Sequence, residues 1–320
     1  MPLFKVQHIT KYTYPAPVTN SANQIMLFPI ADALQSVARH ELKISERPLV
    51  EEFTDYFGNR IGVFTILKPH TELVISSSFD VTTVPIALPN EVMSAATQWN
   101  HLRSVRRTPP LLDLLPFPQT AATAEIREAA QRIAPVSLTP FACVKALSVY
   151  IHGSFSYTQG ITSVETGIDD VWQMKAGVCQ DFANILLVML RSLGIPSRYV
   201  SGYICPKNHD LRGEGATHAW VEAYLPYYGW IGVDPTNYCI VSDRHVRLAV
   251  GRQFSDCTPV KGTYVGPGDH TLEVSVTIDG ASARPDPASL ETMPAFSYSV
   301  RRTEPQSNSY RRAQEMQQQQ

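Results

Sequence analysis

The stretch from Gly177 to Tyr203, GVCQDFANILLVMLRSLGIPSRYVSGY, constrains the fold more than any other part of the chain. Phe182, Ile185, Leu186, Met189, Leu190 and Leu193 recur at helical spacing, and Ala183, Leu187 and Val188 make the remaining faces apolar too. A helix that is apolar nearly all round has no wet face, so it belongs in the interior with other elements packed about it. Gly194 and Pro196 end it, a Gly just past the last periodic residue and a Pro beyond. At the other end stands Cys179, with Gly177 expected to give the backbone freedom for a sharp entry turn. A thiol there faces backbone N–H groups that have no intrahelical acceptor, and the positive end of the helix dipole. That setting suits a nucleophilic cysteine, and the same amides can hold an oxyanion.

A chain of 320 residues suits about two domains. The hydrophobic fraction of 44% and charged fraction of 18% are those of a globular protein with a large core. The net charge of −2 speaks against nucleic acid or an anionic membrane as a partner, and says nothing of oligomeric state. No apolar run of signal length begins the sequence, and none reaches the roughly 18 residues of a membrane span. Five cysteines in so long a chain then read as reduced thiols in a cytoplasmic protein.

Four regions follow from the pattern. Residues 1–85 read as a small β-sandwich domain: Phe4, Val6, Thr10, Tyr12 and Tyr14 share a parity, and Leu73 to Val84 is β-branched. Residues 86–120 are rich in proline and read as a connector with little regular structure. Residues 121–280 hold the helices Thr123–Ala134, Thr139–His152 and Ile168–Lys175, the apolar helix, and strands at Arg198–Ile204, Thr217–Leu225, Trp230–Asp234 and Thr271–Ile278. Asn208 to Gly215 reads as a polar loop. Residues 281–320 are an extension, largely disordered, with one further strand expected at Phe296–Val300.

The chemistry lies downstream of Cys179, in THAWVEAYLP and GWIGVDPTN. Ala219, Val221, Ala223 and Leu225 form one apolar row and Ile231 and Val233 another. Pairing those rows on one face of a hairpin puts His218 and Asp234 together on the opposite face, because side chains alternate with period two. As diagonal neighbours their positions lie about 7–8 Å apart. A four-residue loop without a bulge gives the wrong parity, so the pattern predicts a bulge, or a loop of three or five residues. Thiol, imidazole and carboxylate then form a nucleophile, base and orienter.

These segments, with the later HVRLAVGRQFSDCTPVKGTY, resemble the bacterial transglutaminase-like superfamily of cysteine peptidases and acyltransferases. The early YTYPAPV and DYFGNRIGVFTILKPHTEL resemble the β-rich domain that precedes the core in one bacterial branch. The resemblance covers roughly residues 3–280. It implies an α+β fold with a papain-like core, a central helix packed on an antiparallel sheet, and Cys179, His218 and Asp234 as the triad. It also implies no metal and no cofactor, a peptide or protein substrate, and ATP-grasp-type peptide-forming enzymes as partners. Asn184 stands where this branch usually has His after DFA.

Other residues compete for roles. Glu222 and Asn237 are rivals of Asp234 as orienter, and Asp181 reads as a structural residue of the first helical turn. Gln173, Tyr157 and Trp172 are candidates for a second oxyanion donor, and Trp220 for a shield over the imidazole. Cys143, Cys205, Cys239 and Cys257 read as core thiols, and Cys205 with His209 lacks the paired C-x-x-C of a zinc site. The expected activity is hydrolysis of peptide amide bonds through a thioester. Acyl transfer to an amine and a non-catalytic peptide-binding module are the alternatives.

Overall fold

The computed structural model describes residues 1–163, 166–205, 212, 216–280 and 296–300. Its first part is all β: β1 (Leu3–Ile25), β2 (Gln35–Ile44), β3 (Glu51–Thr54), β4 (Arg60–Ile66) and β5 (His70–Thr83). Phe4, Val6, His8, Thr10, Tyr12 and Tyr14 of β1 are buried, the alternation that a one-sided strand requires. From Leu3 to Thr13 this strand pairs with β5, and from Ser21 to Ile25 it pairs with β4. The change falls around Pro15 and Pro17, which have no N–H to give a ladder. β1 therefore pairs with β5 along its first half and β4 along its last residues, and inner residues of these strands, among them Val6, Phe79, Phe64 and Ile66, meet in one core.

The proline-rich segment contains more order than its composition predicts. α1 (Ala95–Val105) runs between Pro89 and Pro109, with no proline inside it. The Ser94 hydroxyl accepts the Thr97 N–H at its start, and Trp99 and Leu102, three apart, bury one face. Proline content marked the ends of this helix rather than its absence. α2 (Thr123–Ile133) and α3 (Pro140–Ser154) follow, the second with Pro140 in its first turn and the Thr139 side chain as N-cap. Next come β6 (Ser156–Tyr157), α4 (Ile168–Met174), β7 (Ala176–Gly177) and α5 (Cys179–Ser192). α5 is the apolar helix. Its end is a Schellman turn: Gly194 adopts φ 81°, its N–H donates to Arg191 O, and the Ile195 N–H donates to Leu190 O.

Beyond α5, β8 (Ser197–Ile204), β9 (Thr217–Leu225), β10 (Gly229–Asp234), β11 (Cys239–Ile240) and β12 (His245–Gly251) form an antiparallel sheet in the order β11-β10-β9-β8-β12. One face packs on the helices: Ala219, Val221, Ala223, Ile231 and Val233 share a core with Phe182, Leu186 and Leu190. On the other, Val200, Trp220 and Val250 pack against Ile30 and Phe57, from loops of the β-rich part, and at the ends of β8 and β12 Tyr203, Val246 and Leu248 join the core of that part. Polar links reinforce that contact. His8 Nδ1 lies 2.7 Å from the Tyr203 hydroxyl, and Arg247 pairs with Asp32 at 2.6 Å. The sheet thus lies between helices and the β-rich part, which explains why β8 is buried along nearly its whole length.

β13 (Val260–Val265) and β14 (His270–Gly280), of which only the second was expected, leave this sheet and pair with β1. β15 (Phe296–Val300) pairs with β14. Most of the loop read at Asn208–Gly215, and the segments 281–295 and 301–320, lie outside the described residues. Among the described residues no helix is long and apolar enough to cross a membrane. Leu186 is fully buried at the contact of α5 with the sheet. Leu186→Ala is expected to cost about 2–5 kcal/mol in chemical denaturation. A loss below about 1 kcal/mol would show that α5 is not the closely packed centre.

Candidate active site

Cys179 begins α5, and the segment before it is held on both sides. Ser156 and Tyr157 of β6 pair in parallel with Ala176 and Gly177 of β7. The turn out of α4 is made by Lys175, which adopts a left-handed φ of 50°. Gly177 therefore does not provide the sharp turn expected of it. It is needed for proximity, since a Cβ there would lie 2.5 Å from Asp181 Oδ2. That oxygen accepts the Val178 N–H at 2.8 Å and the Thr162 hydroxyl at 2.7 Å. Burial raises the Asp181 pKa against those two hydrogen bonds. Asp181 thus closes the first turn and holds the preceding loop, leaving amides of that turn at the thiol.

His218 and Asp234 come from adjacent strands. Gly229 pairs with Leu225 and Val233 with Val221, so the connection is the three-residue loop Pro226-Tyr227-Tyr228, with Tyr227 at φ 63°. This parity places both side chains on one face, with His218 Nε2 donating to Asp234 Oδ2 at 2.9 Å. His218 is 2% exposed and Asp234 0%, so little water screens the pair. Oδ1 also accepts the backbone N–H of Thr236 at 2.8 Å, and Oδ2 accepts the Asn237 side-chain amide at 2.8 Å. Burial opposes ionisation of Asp234, but the charge and hydrogen bond of His218, then those of His245, hold it well below the usual carboxylate range.

The other ring nitrogen, His218 Nδ1, is buried without a partner at ordinary hydrogen-bond geometry among the described residues. Cys179 is the second side chain whose charge and loose hydrogen bond act on this ring. Burial disfavours the imidazolium, but the charges of Asp234 and Cys179, with hydrogen bonds to both, raise the pKa overall. Asp234 thus takes one nitrogen and leaves the other without a partner, while the half-buried Cys179 thiol acts on the same ring.

The remaining candidates separate by place. Asn237 bonds to Asp234 rather than to His218, and Glu222 is paired with Arg198 at 2.6 Å. Tyr157 pairs beside Gly177, and burial followed by the Cys179 charge pushes its phenol up to about 12. Trp172 packs against Phe155 and Tyr150, while Gln173 is exposed on α4. Trp220 lies against two imidazoles, with centroids 6.3 Å from His218 and 5.2 Å from His245. His245, which opens β12, was missed by sequence reasoning. It sits in HVRLAVG, and only a second buried histidine facing Asp234 would have flagged it.

Asp234, Cys239 and His245 each place one ligating atom within 4.8 Å of the others. The carboxylate oxygens are already engaged by N–H donors. Burial and the charge of Asp234 push the Cys239 thiol up to about 12, which favours a neutral thiol over a metal thiolate. Cys205 is buried, and His209 lies outside the described residues.

The bacterial transglutaminase-like N-terminal region matches residues 4–82, and the transglutaminase-like superfamily core matches residues 127–235. An uncharacterized Mycobacterium leprae protein is 34% identical over 279 residues, 86% of this chain and 97% of that protein. The chain belongs to the transglutaminase-like superfamily. Members of this superfamily are cysteine-based enzymes. A protein-glutamine gamma-glutamyltransferase of Pseudomonas aeruginosa is 31% identical over 175 residues, 52% of this chain and 24% of that protein. A Cytophaga hutchinsonii structure, solved as a suspected cysteine protease, shares the fold with a TM-score of 0.69. It is 20% identical and covers 88% of this chain and 92% of its own.

The ion pair makes this superfamily member's stability depend on pH. The folded pKa of His218 is raised above its ordinary 6.5, so its contribution is complete below 6.5 and is lost as pH rises toward the folded value. Unfolding free energy should fall between about pH 6.5 and 8, before the buried thiols titrate, by up to about 1.4 kcal/mol per pH unit. Denaturation of Asp234→Asn across the same range should show a shallower slope. An unchanged slope would mean that the pair does not hold the proton.

Proposed function

We propose that this chain hydrolyses amide bonds of peptides through an acyl-enzyme thioester on Cys179. The observation that carries the reading is the placement of His218, bonded to Asp234 through Nε2 with Nδ1 left open and Cys179 acting on its ring. Nδ1 takes the thiol proton and sulfur attacks the carbonyl, while Asp234 stabilises the imidazolium. First-turn amides of α5 receive the oxyanion, and Tyr157, whose backbone pairs with Gly177 just before Cys179, is the side chain proposed to assist. The imidazolium then protonates the leaving amine. Water, deprotonated by the same nitrogen, cleaves the thioester and restores the thiol.

A second reading is acyl transfer to an amine, favoured by the similarity to the Pseudomonas aeruginosa transferase. The two share every step up to the thioester. Peptides of the kind made by ATP-grasp-type enzymes, in a reducing cytoplasm, are the substrate setting proposed here, and all five cysteines are free thiols. Iodoacetamide at neutral pH should label Cys179 stoichiometrically, and His218→Ala should slow labelling about 100-fold or more. Labelling no faster than for a model thiol favours a peptide-binding module. With a glutamine-containing peptide, ammonia release without incorporation of an amine probe marks a hydrolase, and incorporation marks a transferase.

A further inference from the structure

We infer that His245 is a positioning residue for the triad: a second, permanently neutral histidine that holds Asp234 and moderates its pull on His218. The inference rests on the assignment of Cys179, His218 and Asp234 proposed above.

The tautomer of His245 follows from its surroundings. The Ser242 backbone N–H points at His245 Nδ1 at 3.2 Å, so that nitrogen accepts and the single ring proton of the neutral form sits on Nε2. Nε2 lies 3.7 Å from Asp234 Oδ2, the oxygen that also receives His218. It is buried and meets no closer partner among the described residues. At 4% exposure of His245, the contact is shut off from bulk solvent. Trp220 meets the His245 ring edge to face at 80° and lies nearly parallel to His218 at 26°, so one indole orients both rings.

The groups facing His245 are Asp234 on β10, His218 on β9, Cys239 on β11 and the adjoining Arg244. Burial, aided by the charges of His218 and Arg244, lowers its pKa against the pull of Asp234. The Cys239 thiol stays neutral as described, so His218 is the group at this carboxylate whose charge changes as pH rises above its ordinary 6.5 toward the raised folded value. An N–H dipole on Oδ2 is worth most while His218 is neutral and the carboxylate carries its charge unbalanced. Its removal therefore makes His218 more basic. The carboxylate also loses one of the groups that fix its rotamer.

The test begins with the wild-type chain, so that it does not depend on a variant folding. In spectra of the 15N-histidine-labelled protein, His245 should be the Nε2–H tautomer and remain neutral from about pH 6 to 8. A proton on Nδ1, or a charged ring in that range, overturns the inference. Next, His245→Gln keeps an N–H near the Nε2 position and His245→Phe removes it. The pH profile of Cys179 alkylation should shift upward by about half a unit or more in His245→Phe at the limb where His218 loses its proton. In His245→Gln it should stay near wild type. An unmoved profile in the Phe variant, or an equal shift in both, reduces His245 to packing. Absence of fast alkylation in the wild type removes the enzyme reading instead, and the tautomer measurement still decides the place of His245.

Discussion

The site depends on one buried carboxylate. Asp234 has no exposure to solvent, and an ionised group there persists only if its lone pairs are occupied. Two backbone N–H groups, one side-chain amide and one imidazole do so, with a second imidazole just beyond hydrogen-bond distance. Each donor also fixes the oxygen it meets, so the carboxylate that orients His218 is itself held by the turn that follows β10. Charge and geometry are thereby the same constraint. The carboxylate cannot remain ionised without the contacts that aim the histidine.

That arrangement needs a frame that brings two strands and a helix start together. The five-stranded sheet, packed by helices on one face and by loops of the β-rich part on the other, supplies it. Apolar residues of β9 and β10 turn toward α5, and alternation sends His218, Trp220 and Asp234 to the opposite face. The β-rich part contributes to the rigidity of this frame. The Asn59 side chain bonds to the backbone of Val250, and Gln35 to that of Arg247, so β12 is tied to segments far away in sequence. Arg191 at the end of α5 donates to the carbonyls of Ser197, Pro116 and Arg252, which joins three segments at a buried point. Removing such a cation leaves carbonyls without partners, the reason such residues tolerate little change.

Much of this was legible locally. The all-round apolar pattern of Phe182 to Leu193 placed α5 inside, and Gly194 with Pro196 marked its end. Parity alone left a bulge or a loop of three or five residues for the β9–β10 hairpin, because two apolar rows on one face admit few registers, and the loop has three. Other features were hidden. α1 was obscured by the prolines at its flanks, since composition averaged over a window conceals a helix whose breakers lie outside it. Gly177 was read for its backbone freedom, whereas its lack of a side chain is what lets Asp181 approach.

The sequence by itself determined the buried helix, the cysteine at its start, and the face shared by His218 and Asp234. These depend on periodicity and on neighbours a few residues apart. Only the tertiary structure decided that His245 faces the same carboxylate, that Tyr157 pairs with Gly177 just before Cys179, and that β13 and β14 return to β1. Those relations join segments far apart along the chain. Periodicity specifies which face a side chain takes, but not which distant strand will be packed against it.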